Sequence, residues 1–402
     1  MDGEPLKTVY LKPREADRLR AGHPWVYYGE ITPLREPIAD GECVQVLDSR
    51  NHLVGCGLFN SKSKIRVRLL SRREKLTLNA EFFKKRIETA LQVRRHAMPN
   101  ATSFRVVNAE SDFLSGLIID KYEDVLVLQT TSLGMDQRKP MIVEALKEIF
   151  HPTAILEKND SPSRTFEGME MVHSTLYGTA PAGDQLIRLN QIQFKINFDS
   201  GHKTGCYLDQ QVNYKKVGDL AAGARVLDCF CFLGGFALHA AKGGAREVIG
   251  IDQSETAIKT ASEGTKLNNL SGCTFINANA FDWLIEHAKN TEIEQKDLFD
   301  LIILDPPSFT RNRHSVDAAL NGYKEIHLRA LKLLRPGGTL ATFCCSHHVD
   351  TQTFQNVILN AAFDAHKILR RTHIYSQSPD HPIIPVIPET EYLKGFAFEV
   401  AK

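Results

Sequence analysis

From about residue 224 onward the chain alternates between two hydrophobic rhythms. Short apolar runs at 226–228, 248–252, 274–277, 301–305 and 339–344 are separated by stretches of helical periodicity such as 234–243, 254–268 and 321–334. Strands alternating with helices predict an open parallel sheet with helices on both faces, and in such sheets a ligand lies beyond the carboxyl ends of the strands. Upstream the rhythm changes. Residues 43–47 and 53–59 are short apolar stretches punctuated by Gly41, Gly55 and Gly57, which reads as a small β-rich module over roughly the first 75 residues. Residues 64–69 alternate strictly, so Lys64, Arg66 and Arg68 share one strand face and Ile65, Val67 and Leu69 the other. Asn79 is placed to cap a helix running to about His96, with Phe83, Ile87 and Leu91 on its buried side. From 104 to 178 short strands, for example 125–130 and 153–157, predict an α+β domain. Residues 192–198 are apolar at every second position and predict a half-buried strand or hairpin arm leading into the last domain.

A length of 402 residues calls for two or three domains. Hydrophobic content of 43% with 24% charged residues is that of an ordinary globular chain. The net charge of +1 hides an asymmetry: residues 1–80 hold 14 Lys and Arg against 10 Asp and Glu, and Arg72, Arg73, Lys75, Lys84 and Lys85 prolong the basic face of 64–68. Such local density suits nucleic-acid phosphates. The eight cysteines form no CxxC pair and no regular disulfide spacing, which points away from a metal site and towards a reducing compartment. The first seven residues are polar, and no run approaches the roughly 20 apolar residues of a membrane helix. The expectation is a cytoplasmic protein with no metal and no membrane contact.

Two acidic strand ends define a candidate cofactor site. The first strand runs into Asp228-Cys-Phe230-Cys-Phe-Leu-Gly234-Gly235, and the second ends at Asp252, followed by Gln253. A carboxylate 24 residues beyond the first strand tip suits ribose hydroxyls, and a glycine pair opening a helix lets backbone approach a ligand. No G-x-G-x-x-G is present, which disfavours a pyrophosphate-bearing dinucleotide. S-adenosylmethionine carries no phosphate and presents a cationic sulfonium and amino acid, so it fits the Asp228 carboxylate better. Asn279, after the third strand, is placed to contact adenine.

The fourth strand ends in Asp305-Pro-Pro-Ser-Phe309, a stiff loop of the kind that clasps the polar edge of an extracted base. Similar loops also serve enzymes that methylate amino groups. The fifth ends in Thr342-Phe-Cys344-Cys345-Ser-His-His348. Carbon 5 of a pyrimidine is a poor nucleophile; a thiolate that adds to carbon 6 makes it enamine-like and able to accept a methyl group. Adjacent cysteines on extended backbone point to opposite sides, so at most one of the two serves.

These blocks together resemble the ribosomal RNA large-subunit methyltransferase I family of 5-methylcytidine enzymes. The likeness spans nearly the whole chain: Arg20-Ala-Gly-His-Pro-Trp-Val26, Ile65-Arg-Val-Arg-Leu-Leu-Ser71, Val107-Asn-Ala-Glu-Ser-Asp112, Ser115-Gly-Leu-Ile-Ile-Asp120, Glu157-Lys-Asn-Asp160, Lys203-Thr-Gly-Cys-Tyr-Leu-Asp-Gln210, the two strand-end motifs above, Gly322-Tyr-Lys-Glu-Ile326 and Tyr392-Leu-Lys-Gly-Phe396. The resemblance implies an α/β protein: a PUA-like RNA-binding domain over 1–76, a central α+β domain over 77–187 and a Rossmann-like class I methyltransferase domain over 188–402, often assembled as a homodimer. It implies S-adenosylmethionine as cofactor, large-subunit ribosomal RNA as partner, and methylation of a cytosine carbon 5 through a cysteine adduct at carbon 6. The implied residues are Cys345 and Asp305 for catalysis. For the cofactor they are Asp228, Phe230, Gly234, Gly235, Asp252, Gln253, Asn279, Asp305, Thr204 and Asp209, and for RNA Lys64, Arg66, Arg68 and Arg72. The chain departs from the family pattern at Gln211 (commonly Arg), Asn279 (commonly Asp) and Cys344 (usually Ser). Rival readings at this stage are methylation of a purine nitrogen, a nicotinamide-dependent oxidoreductase, and a non-catalytic RNA-binding or ribosome-assembly factor.

Overall fold

The computed structural model describes residues 6–401 except 74–75, 200, 202, 290–293, 295–296 and 311–315; Lys75 of the basic stretch lies outside the described residues. The chain forms two compact units. The first comprises Met1–Gln185, Ile196–Leu208 and Pro379–Thr390; the second comprises Leu186–Lys195, Asp209–Ser378 and Glu391–Lys402.

The first unit contains two five-stranded sheets. Strands β1 (Lys7–Tyr10), β2 (Trp25–Tyr27), β3 (Cys43–Leu47), β4 (Leu53–Phe59) and β5 (Ile65–Ser71) lie in the order β1-β3-β4-β5-β2. Gly55 and Gly57 fall inside β4 rather than at turns. A Cβ at Gly57 would collide with the Arg68 carbonyl, so the missing side chain lets β4 and β5 approach where their register shifts. Helix α1 (Ala80–Ala97) begins where the sequence places it: the Asn79 side chain accepts the Phe82 amide at 2.9 Å, and Phe83, Ile87 and Leu91 are buried. The second sheet comprises β6 (Ser103–Asn108), β7 (Leu117–Tyr122), β8 (Val125–Thr130), β9 (Ala154–Asn159) and β10 (Val172–Gly178), in the order β10-β9-β8-β7-β6. Helix α2 (Lys139–Phe150) joins the parallel pair β8 and β9, and its Ile142 and Leu146 share a core with α1 and the sheet.

A buried ion pair ties this unit together. Arg94 of α1 is 1% exposed and grips Asp112 with two hydrogen bonds of 2.5 and 2.7 Å, while also donating to the carbonyls of Arg105 and Asp380. Removing one partner of such a pair strands the other charge in the interior. Arg94→Met should therefore lower unfolding free energy by about 3–5 kcal/mol, read from the urea midpoint.

The hairpin β11 (Asp184–Leu189) and β12 (Ile192–Asn197) spans the passage from one unit to the other, with Ile192, Phe194 and Ile196 buried as their alternation requires. The second unit is built on one seven-stranded sheet. Its helices and strands are α3 (Gln211–Gly218), β13 (Arg225–Cys229), α4 (Gly235–Lys242), β14 (Glu247–Asp252), α5 (Glu255–Leu267), β15 (Cys273–Asn277), α6 (Ala280–Ala288), β16 (Phe299–Leu304), α7 (Val316–Leu333), β17 (Leu334–Cys344), α8 (Thr351–Asp364), β18 (Leu369–Ser376) and β19 (Lys394–Val400). The strand order is β15-β14-β13-β16-β17-β19-β18. The first five strands are parallel as expected; β19 runs against both its neighbours, a departure from an all-parallel sheet. The chain winds outward from β13 to β15 and then returns to place β16 on the other side of β13. The topological switch point therefore lies between β13 and β16, whose paired ends are Cys229 and Leu304.

Candidate active site

At that switch point the acidic tips of the sequence come together. Asp228, one residue from the end of β13, is wholly buried; its Oδ2 accepts the Ala237 amide at 2.9 Å, and its Oδ1 has no hydrogen-bond partner. Burial pushes this carboxyl well above the usual carboxylate range, and the nearby charges of Asp305 and Asp252 push the same way against the Ala237 amide. An orphaned, buried carboxylate oxygen beside like charges is suited to meet a cationic group.

The loop from β13 to α4 is bent to make room. Phe230, Phe232 and Gly234 adopt left-handed φ values of 65°, 47° and 80°. The loop is pinned by the Phe232 amide donating to Asp252 Oδ2 at 2.9 Å, while the Ser254 amide donates to Oδ1 at 2.9 Å. Each oxygen of Asp252 thus keeps a lone pair for a ligand hydroxyl. Gly235 packs directly on Tyr214, where a Cβ would stand 2.5 Å from the ring. Gln253 is exposed beside Asp252. Asn279 caps α6, its side-chain oxygen accepting the Phe281 amide at 2.9 Å, which leaves the amide nitrogen as the group it can offer to adenine. Phe230, Phe281 and Phe309 form a chain of ring contacts at 5.9 and 5.3 Å, an apolar wall that no periodicity in the sequence announced.

Two further cofactor expectations have the following surroundings. Asp209 belongs to the second unit, buried, with its Oδ2 accepting the Tyr392 hydroxyl at 2.7 Å. Thr204 belongs to the first unit, where it donates to Asp120 at 2.6 Å and bonds the Tyr122 hydroxyl at 2.7 Å.

The thiols stand at the end of β17, the parallel neighbour of β16. Cys344 is fully buried and donates to the Tyr323 hydroxyl at 3.3 Å; burial pushes its thiol up. Cys345 is partly exposed. The two neighbours thus differ in burial. Phe309, from the loop after Asp305, rests on Tyr323 with ring centroids 4.5 Å apart, so the Pro-Pro loop and the Cys344 pocket share a wall. Lys324 and Glu325, which follow on α7, form ion pairs of 2.7 Å with Asp364 and Arg329. His347 lies 5.5 Å from the Tyr392 ring. Among the described residues no group of three or more His, Cys, Asp or Glu side chains is arranged to hold a metal. Sequence reasoning did not single out Lys394. Its residue type inside an apolar, period-two strand was the available signal.

In the first unit the basic strand face is less uniform than its spacing. Lys64 is exposed, Arg66 lies over the Tyr28 ring at 4.7 Å, and Arg72 is exposed while donating to the His23 carbonyl at 3.0 Å. Arg68 is held inside by Glu167 at 2.9 Å and Glu110 at 3.5 Å.

Residues 9–72 match the PUA-like domain family, and residues 176–382 match the S-adenosylmethionine-dependent methyltransferase family. The chain is 36% identical over 395 residues to ribosomal RNA large subunit methyltransferase I of Photobacterium profundum, covering 97% of this chain and 98% of the relative. It is 37% identical over 397 residues to the protein of the same name from Shewanella amazonensis, covering 98% and 99%. A solved structure described as a SAM-dependent methyltransferase from Streptococcus mutans superimposes with a TM-score of 0.82 at 21% identity, over 98% of this chain and all of that one. Another, of a methyltransferase complexed with SAH, gives 0.82 at 22% identity, over 98% of this chain and 99% of that one.

Proposed function

The chain belongs to the ribosomal RNA large subunit methyltransferase I family of S-adenosylmethionine-dependent enzymes, and from that premise we propose that it methylates carbon 5 of a cytosine in large-subunit ribosomal RNA. The observation that carries the reading is the pair of thiols at the end of β17. One is sealed in the core against Tyr323 and one is accessible, beside the strand whose tip carries Asp305. A purine-nitrogen methyltransferase has no use for that thiol.

The residues of the site fit the cofactor. Asp228, through its unpartnered Oδ1, would hold the cationic end, Asp252 the ribose, and Asn279 with the phenylalanine wall the adenine. When bound, S-adenosylmethionine supplies an electrophilic methyl group. Cys345 adds through its thiolate to carbon 6, forming the sulfur–carbon bond and moving the double-bond electrons towards carbon 5. Carbon 5 would take the methyl group as its bond to the sulfonium sulfur breaks and the electron pair returns to that sulfur. Loss of the carbon-5 proton restores the ring double bond and expels the Cys345 thiolate. Asp305 accepts from the exocyclic amino group, which distinguishes cytosine from uracil. The stiff prolines after it keep the carboxylate in place.

RNA contact falls to Lys64, Arg66 and Arg72, which can reach phosphate. Arg68 is better read as a strut between β5 and the second sheet of its unit, because its guanidinium is already paired with two carboxylates. Transfer of labelled methyl to unmodified large-subunit RNA, followed by digestion to nucleosides, should place the label in 5-methylcytidine. Label in a purine nucleoside would overturn the chemistry while leaving the fold and cofactor assignments standing.

A further inference from the structure

Lys394 opens β19 directly opposite Cys344 in the antiparallel ladder with β17. Period two puts it on the same strand face as Phe396, Phe398 and Val400, all part of the apolar core beneath the sheet. The residue is 8% exposed. Its ammonium donates to the carbonyls of Ser346 at 2.6 Å and Val349 at 2.5 Å, which closes the turn that follows Cys345. Among the described residues no carboxylate forms an ion pair with it. Asp350, the nearest acidic residue along the turn, is engaged as the cap of α8, accepting the Thr353 amide at 2.7 Å and the Thr353 hydroxyl at 2.9 Å.

A buried ammonium facing only neutral carbonyls is an expensive arrangement, because two carbonyl bonds do not replace a hydration shell. Burial accordingly pushes the Lys394 pKa below its ordinary value, with Cys344, Cys345, Asp350 and Glu391 pulling the other way. A leucine would fill the strand position at lower cost. A cation kept there at a penalty implies an anion that forms close by, and the only nearby group that must become anionic in the proposed reaction is the Cys345 sulfur. Two other groups at this strand end act on the neighbouring Cys344: the Asp305 carboxylate opposes its ionisation, and the buried Tyr323 hydroxyl accepts its thiol hydrogen. His347 and His348 are exposed. Lys394 is thus the one buried cation on this side of the strand end among the described residues.

We propose that Lys394 is the positioning residue for Cys345: its ammonium clamps the Ser346–Val349 turn and supplies the positive charge that keeps the Cys345 sulfur as a thiolate at neutral pH. The proposal rests on the reading of Cys345 as nucleophile, and its readout is independent of methyl transfer.

The test is the rate of Cys345 alkylation by iodoacetamide against pH, followed peptide by peptide by mass spectrometry, in wild type, Lys394→Arg, Lys394→Gln and Lys394→Met. Wild type should alkylate with a midpoint clearly below the roughly 8.5 of an unperturbed thiol. Lys394→Arg, which keeps charge and donors, should hold that midpoint within a few tenths of a pH unit. Lys394→Gln, which can still donate to a carbonyl, and Lys394→Met, which cannot, should both raise it by about one unit, slowing alkylation near pH 7 about tenfold. A folded neutral variant with the wild-type profile overturns the electrostatic role. If both neutral variants fail to fold, the wild-type midpoint decides: a value at or above that of free cysteine overturns the proposal. Full methyl transfer by Cys345→Ala would instead remove the nucleophile assignment, while the alkylation profile would still report what Lys394 does to that sulfur.

Discussion

Cys345→Ala is expected to reduce methyl transfer to ribosomal RNA by more than about a thousandfold, with S-adenosylmethionine binding unchanged within about twofold. The size of the effect follows from the chemistry. Without an adduct at carbon 6, carbon 5 of cytosine has almost no nucleophilicity, and no other described residue of the site offers an accessible thiol. Cys344→Ala provides the internal control. Its sulfur is sealed in the core and bonded to Tyr323, so its loss should lower stability by about 1–2 kcal/mol and change turnover only a few-fold. Single-turnover methyl transfer and cofactor titration on both variants check the pair. Equal loss in the two, or activity surviving in Cys345→Ala, would remove the covalent pyrimidine mechanism. A further signature is available: a variant that forms the adduct but cannot release it would accumulate a protein–RNA crosslink through Cys345.

The centre of the second unit's sheet is legible because β13 and β16 are buried on both faces and each run of aliphatics ends abruptly. The runs at 226–228, 248–252 and 301–305 end in the three carboxylates, Asp228, Asp252 and Asp305, that the fold brings to one strand-end edge. Periodicity predicts α7 from 321, five residues later than its first described turn at Val316, because 316–320 carries little periodicity of its own. Periodicity does not announce helices α3, α6 and α8 or strands β18 and β19. Strand β18 is exposed along most of its length, so hydrophobic alternation had no reason to appear, and β19 mixes glycine and lysine into an aromatic run. The basic face of β5 shows the opposite failure. Period two places Lys64, Arg66 and Arg68 on one side correctly, yet spacing says nothing about which cation meets a carboxylate. Glu110 and Glu167, distant in sequence, turn Arg68 inward. What the sequence hides in each case is a long-range partner.

Asp228→Asn is expected to weaken S-adenosylmethionine binding about a hundredfold, the equivalent of about 2–3 kcal/mol for a charge-assisted hydrogen bond lost from a buried site. The amide is isosteric and keeps an oxygen for the Ala237 amide, but it presents a donor where the wild-type protein presents its unpartnered Oδ1 to a cation. The pH dependence sharpens the test. The folded-state pKa of Asp228 is raised, first by burial and then by Asp305 and Asp252. The protonated carboxyl therefore stabilises the folded protein below its unfolded pKa of about 3.9, and that contribution is lost as pH rises through the higher folded value. A cationic ligand binds the ionised form preferentially. Affinity should then rise with pH by up to about tenfold per unit until the carboxyl is fully ionised, and flatten above that point. Asp228→Asn should abolish this slope. It should also make the protein alone more resistant to heat at neutral pH, because a buried charge repelled by two neighbours has been removed. Calorimetric titrations and thermal melts on both proteins across the acidic-to-neutral range measure all three effects. Binding by the variant within threefold of wild type, with the same pH slope, would mean that the cofactor's positive charge is met by another group, and that the buried carboxylate serves only to hold the start of α4.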